Sequence, residues 1–189
     1  MVYYTCFTKI FYNHARLIRL PIEIRGRDFI SFGKNLTTGK YCRIEAFVSN
    51  ENYAQKDIRL RLGDDIVMND AVHIAAAHSV TIGNNVLIAS KVFISDHNHG
   101  DYKNGGETSS PLIPPNDRPV VSAPVVIEDN VWIGEFVAVL PGVTIGKGSV
   151  IGSMSVVNRS IPPYSIAVGA PAVVIKTYDF DKQKWVSIK

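Results

Sequence analysis

Two histidines separated by one residue, in the stretch DHNHG at 96–100, are the residues best placed to do chemistry. A neutral imidazole titrates near ~6.5 and can accept a proton at physiological pH, which makes His97 and His99 candidate general bases. Asp96 lies beside them and could orient either ring, as carboxylates do in other acid–base sites. The segment 96–124 that begins here is polar and rich in Gly and Pro, and loops of that length are often functional. The other histidines carry less. His14 sits in an aromatic-basic N-terminal stretch, while His73 and His78 form an H-x4-H pair. A zinc centre needs three protein ligands and an open position, and no histidine lies between His14 and His73. His97 or His99 could complete such a set only by unusual geometry. Cys6 and Cys42 stand far apart and form no metal or redox motif, as expected of reduced thiols in a cytoplasmic protein.

The elements that must hold these residues are announced by a six-residue period. Ile127, Ile133, Val139, Ile145, Ile151 and Val157 recur without a slip. That period belongs neither to a helix nor to an ordinary alternating strand; it marks a hexapeptide parallel β-helix. Three hexapeptides make a triangular coil, so Ile127 and Ile145, or Ile133 and Ile151, stack as inward ladders at roughly 4.8 Å. Gly134, Gly146, Gly148 and Asn130 are expected at corners where φ is positive. One coil cannot bury its own apolar face, so several must stack.

The period is looser upstream. Phe32, Thr38 and Ile44 keep a six-residue spacing, residues 50–57 read as a loop or a degenerate side, and Leu62, Met68 and Ile74 resume it. A two-residue step at Val80-Thr81 precedes Ile82, Ile88 and Ile94. After Val157, Pro162-Pro163 and Pro171 are expected to stop the coiling, and the form of the tail is left open. In residues 1–20, Phe7, Ile10, Phe11, His14, Leu17 and Ile18 recur at helical spacing, so a short amphipathic helix is expected. Capping the open end is favoured for it over contact with a membrane surface. Lys9, His14, Arg16 and Arg19 break the uninterrupted apolar stretch of a signal peptide, so none is expected, and no later stretch approaches the ~20 apolar residues of a membrane span. A net charge of +3 on 189 residues, dispersed along the chain, gives no footprint for nucleic acid. The expected fold is all-β and single-domain. It comprises an N-terminal cap over 1–27, first coils over 28–95, an extruded catalytic loop over 96–124, last coils over 125–168 and a tail over 169–189.

Three stretches carry a more specific likeness: IGNNVLIASKVFISDHNHGDY, IEDNVWIGEFVAVLPGVTIGKGSVIG and SIPPYSIAVGAPAVVIK. In this order they resemble the hexapeptide-repeat acyltransferases that use acetyl-CoA, in the galactoside, maltose and capsule or O-antigen branch, over about residues 60–176. FGKNLTTGKYCRIEAF is similar to members that acetylate bacterial surface polysaccharides. The resemblance implies a left-handed parallel β-helix, a cytoplasmic homotrimer, acetyl-CoA as cosubstrate with no metal, and a carbohydrate acceptor. The family's spacing from Asn85-Val86 puts the general base at His99, with His97 its rival. Asn69, Asp96 and His97 are the expected acceptor contacts, although Asn69 also suits a coil corner. Trp132, Gly134, Gly152, Ser153, Asn158, Arg159 and Lys176 match positions along coenzyme A, and Val173 departs from the family's frequent Arg. The implied reaction is O-acetylation of a sugar, with a backbone N–H or an Asn amide from a neighbouring coil stabilising the oxyanion. The alternative is N-acetylation of an amino sugar or nucleotide-sugar. A zinc carbonic anhydrase-like protein and a non-catalytic β-helix scaffold are the remaining readings.

Overall fold

A computed structural model describes residues 2–47, 57–102 and 109–188. The chain is a left-handed parallel β-helix of triangular section. Its three faces are called I, II and III here, and each coil runs III, I, II. Face III stacks Ile30–Phe32, Leu60–Leu62, Val80–Ile82, Val125–Ile127 and Thr144–Ile145. Face I stacks Thr37–Thr38, Val67–Met68, Leu87–Ile88, Trp132–Ile133, Val150–Ile151 and Ser165–Val168. Face II stacks Ile22–Arg25, Cys42–Ala46, His73–Ala76, Phe93–Ser95, Ala138–Val139 and Val156–Val157.

The period explains the register. Ile127 pairs with Ile145, Ile133 with Ile151 and Val139 with Val157, and all six are fully buried. The residue four positions on also points inward: Val131, Val137 and Val143, then Ser149 and Ser155. The two serines take N–H bonds from Ser165 (3.1 Å) and Gly169 (3.0 Å), joining the last full coil to residues 165–169 above it. Asn130 and Gly148 have φ of 58° and 67°, as expected of corners. Gly134 and Gly146 do not belong to that set. A Cβ on Gly134 would lie 2.6 Å from Ser153 N, and one on Gly146 2.3 Å from Pro163 N, so the coil above dictates glycine there.

Both ends differ from the simplest expectation. The helix spans Val2–Phe11 and stops there, so His14, Leu17 and Ile18 lie outside it. Leu17 bridges Thr37 in parallel, and Ile18 is buried, with its N–H on the hydroxyl of buried Thr8 (2.8 Å). The helix thus covers the first coil, with Phe7 packed on the core. The stack also begins earlier than residue 28, because Ile22–Arg25 pairs with Cys42–Glu45. At the other end Pro162-Pro163 does not halt the coil, since Ser165–Val168 still joins face I in parallel. Reversal comes after Gly169 (φ 101°), and Val173–Asp179 and Lys184–Ser187 return as an antiparallel hairpin. Tyr178 packs on Phe180 and Trp185, and Phe180 on Tyr164, with ring centroids 4.9–5.3 Å apart. Residues 48–56, which carry most of the polar stretch at 50–57, lie outside the described residues, as do 103–108 of the loop.

The corner between faces II and III positions the loop. Elsewhere N–H groups of one coil donate to carbonyls of an adjacent coil, as His73 N does to Val92 O above it (2.9 Å). Above Ala77-His78-Ser79 the chain departs instead, and the Asp96 carboxylate takes the three orphaned N–H groups, at 2.8, 2.7 and 2.6 Å. Asp96 is fully buried. Burial raises its pKa, but the bonds from His97 and these three N–H groups outweigh it and hold the carboxyl below its ordinary range.

Ile133→Asp or Ile151→Asp is expected to prevent folding, because each buries an unpaired charge in the ladder. Lys147→Asp, on an exposed corner, should melt like the wild type; equal stability of all three variants would refute the inward register. Asp96→Asn should destabilise most at neutral pH. The stabilisation from the depressed carboxyl is complete above its unfolded pKa and is lost as pH falls through its lower folded value. Melting curves of both proteins from pH 7 to pH 3 should therefore converge, and a constant gap would contradict the linkage.

Candidate active site

The extruded loop starts as a two-stranded ribbon in which His97–His99 pairs antiparallel with Val120–Ser122. Strand alternation puts the two rings on one side of the ribbon and Asn98 on the other. The ring centroids are 6.4 Å apart. Nδ1 of His97 lies 3.1 Å from Asp96 Oδ1 and 3.1 Å from Ser95 Oγ, and the ring meets Phe47 edge-on at 5.0 Å. Only 13% of its side chain is exposed. His99 is exposed, and among the described residues its ring nitrogens have no hydrogen-bond partner. Its backbone is fixed: the Tyr102 hydroxyl donates to His99 O (2.6 Å), and Arg118 Nη1 donates to that hydroxyl (2.7 Å). The Tyr102–Arg118 brace was not anticipated from sequence, for nothing in the spacing of a polar loop reveals a contact across it.

Asp96 does not fit the expected role of acceptor contact. Its oxygens are committed to backbone N–H groups and to His97, and it has no exposed surface. It is the His97 ring that this carboxylate orients. His73 and His78 do not form a metal site with these groups. Nε2 of His73 is 2.9 Å from Glu45, its ring packs on Phe93 at 5.3 Å, and among the described residues no group of three metal-ligating side chains gathers.

The remaining candidates fall on other edges of the prism. Asn69 is exposed on the corner between faces I and II, after Val67–Met68. Strand His73–Ala76 separates it from the corner that emits the ribbon, so within one chain roughly 13 Å of strand lies between the Asn69 and His99 edges. Trp132 is 51% exposed on face I. The register Trp132–Val150–Ile166–Lys176 places Lys176 three strand steps above it, roughly 14 Å along the same outward row. The row carries an aromatic at one end and a cation at the other. Gly134, Gly152 and Ser153 lie on the I/II corner beside it. Their small size is already used: the Gly134 position abuts Ser153, and a Cβ on Gly152 would lie 2.7 Å from Val168 Cγ1. Asn158 and Arg159 are exposed on the II/III corner, directly after Val157. The register Ile94–Val139–Val157 puts them two coils above Asp96. One chain therefore carries two sets, a Trp132–Lys176 row with Asn69 below it and a His97–His99 ribbon with Arg159 above it, on edges that do not meet.

The bacterial transferase hexapeptide family, described by six repeats, matches residues 124–159. Over 178 residues the chain is 46% identical to WbbJ of Escherichia coli K12, provisionally named a lipopolysaccharide biosynthesis O-acetyl transferase, covering 94% of this chain and 87% of that protein. It is 33% identical to galactoside O-acetyltransferase of the same organism, over 87% of this chain and 73% of the relative. Galactoside acetyltransferase in complex with coenzyme A superposes with a TM-score of 0.53 at 29% identity, over 89% of this chain and 64% of that one. AntD, an N-acyltransferase from Bacillus cereus, reaches 0.69 at 22% identity over 89% and 83% of the two chains, a likeness of fold. With this similarity along nearly its whole length, the chain belongs to the hexapeptide-repeat, acetyl-CoA-dependent acyltransferases.

Proposed function

We propose that the protein is an O-acetyltransferase acting on a carbohydrate hydroxyl in bacterial surface-polysaccharide synthesis. Its site is shared between adjacent copies of a homotrimer, with His99 as general base. The observation that carries the shared site is the separation of the two residue sets on one chain. A reacting hydroxyl must lie within hydrogen-bond reach of its base. The Asn69–Trp132–Lys176 edge of one copy must then face the His99–Arg159 edge of the next. Such a contact joins unlike edges, and closes only as a ring. The names of the 46% and 33% identical relatives support the acceptor class. The use of acetyl-CoA as donor supports a cytoplasmic reaction.

His99 is favoured by its open ring on a braced backbone and by the family's spacing. As the acceptor oxygen attacks the thioester carbonyl, the imidazole takes its proton. Collapse of the tetrahedral adduct breaks the C–S bond, and coenzyme A leaves as thiolate to be reprotonated. Bound acetyl-CoA supplies the activated acyl group, with Trp132 and Lys176 flanking the arm and Arg159 available to its phosphates. A hydroxyl acceptor suits this site better than an ammonium. The carboxylate bonded to the His97 ring, Asp96, is committed and cannot receive an extra proton without losing the corner it holds. One observation favours His97 as base instead: an Nδ1 bond to Asp96 sets the tautomer that leaves the Nε2 lone pair free.

His99→Ala should lower kcat by roughly 10²–10⁴ while acetyl-CoA affinity survives, and His97→Ala should cost less. The wild-type kcat/KM should fall in acid as the base protonates, and that limb should vanish in His99→Ala. Kinetics of both variants from pH 5 to pH 9 decide between the rings; full activity in both would remove the mechanism. Sedimentation at assay concentration should give a trimer, and an active monomer would overturn the shared site.

A further inference from the structure

Below Asn69, the corner between faces I and II opens into a cavity of about 500 Å³ lined by Arg19, Gly39, Lys40, Asn69, Asp70 and Ser90. Its polar groups are stacked along the prism. Ser90 lies one coil above Asn69, whose N–H reaches Ile88 O (2.8 Å). Lys40 lies one coil below, its N–H on Asp70 Oδ1 (2.7 Å), and Arg19 lies below that, its N–H on Thr38 Oγ1 (3.3 Å). At the spacing of parallel strands, Lys40 is roughly 5 Å and Arg19 roughly 10 Å beneath the Asn69 level.

The charges are not spent on one another. Oδ1 of Asp70 is turned onto the Lys40 backbone, and among the described residues Lys40 Nζ has no partner. Arg19 Nη1 donates to Thr38 O (3.2 Å), which pins the half-buried guanidinium while leaving Nε and Nη2 open. A pinned guanidinium is preorganised for a phosphate oxygen pair, and a lysine adds a point charge. A neutral sugar ring at Asn69 and Ser90 would need neither cation. These cations also stand at the opposite end of the corner from the Trp132–Lys176 row, so they do not serve coenzyme A.

We infer that the acceptor is a glycosyl diphosphate, with its sugar at Asn69 and Ser90 and its phosphates held by Lys40 and Arg19. This rests on the acetyl-transfer reading above. A nucleotide-linked and a lipid-linked sugar share this chemistry.

The test is calorimetric titration of inorganic pyrophosphate into the full-length protein saturated with coenzyme A, so that phosphate positions of the donor are filled. The wild type should bind, and Arg19→Gln and Lys40→Gln should each weaken binding at least about tenfold. Coenzyme A affinity should not change. Arg19→Lys should recover part of the loss, and Lys147→Gln should leave binding intact. Uridine diphosphate and farnesyl diphosphate, titrated in the same way, distinguish the sources: whichever binds more tightly than pyrophosphate identifies the carrier. No pyrophosphate binding by the wild type, or binding in both Gln variants as tight as in the wild type, overturns the inference. Acetyl transfer to a neutral sugar without pyrophosphate binding would keep O-acetylation and remove the diphosphate subsite. Pyrophosphate held by Arg19 and Lys40 in a protein that acetylates no hydroxyl would keep the subsite and remove the reaction.

Discussion

Everything in this molecule depends on one repeated bond: the N–H of one coil donating to a carbonyl of the adjacent coil. With two-residue strands, a coil buries few side chains of its own. Each inward Ile or Val is worth about 1.5–3 kcal/mol when removed from water, and only stacking achieves the removal. Where the stack is continuous, aliphatic ladders suffice. Where the loop leaves, the backbone loses its acceptors and a carboxylate must stand in. The loop that brings histidines to the surface is thus possible because Asp96 replaces a piece of missing coil.

This arrangement ties chemistry to folding. The same carboxylate that closes the corner also bonds Nδ1 of His97, and the neighbouring ring of His99 projects from the ribbon that begins there. A structural defect at the corner and a misplaced imidazole are one event. The brace from Arg118 through Tyr102 to the His99 carbonyl fixes the ribbon from its far side, so the exposed ring is carried by an anchored backbone.

The stack was legible because its period is enforced at every coil: a slipped residue at Ile133 or Ile145 would turn an aliphatic side chain outward. Gly134 and Gly146 were legible by position and misread by cause, since sequence cannot distinguish a positive φ from a backbone that leaves no room for a Cβ, as Ser153 N does at Gly134. The ends were the least legible. Phe7 and Ile18 repeat as a helix would, yet Ile18 belongs to the coil and its N–H is held by Thr8. The tail, with mixed charge and no period, became a hairpin whose antiparallel pairing leaves little six-residue trace. At the candidate site, the histidine pair stands out by type and spacing, whereas Asn69 is singled out only by the family resemblance. The commitment of Asp96 was not legible, because it concerns three backbone groups seventeen to nineteen residues away.

The hairpin has a consequence for association. A parallel β-helix that simply ended would present a fresh row of unpaired N–H and C=O groups, a template on which another solenoid could dock end to end and grow into a fibre. Reversing the chain after Gly169 turns that growth face into antiparallel strands with a different register, while the helix Val2–Phe11 blocks the opposite end. On face I the solenoid's parallel register therefore ends at Ser165–Val168, and a second solenoid could not continue it there.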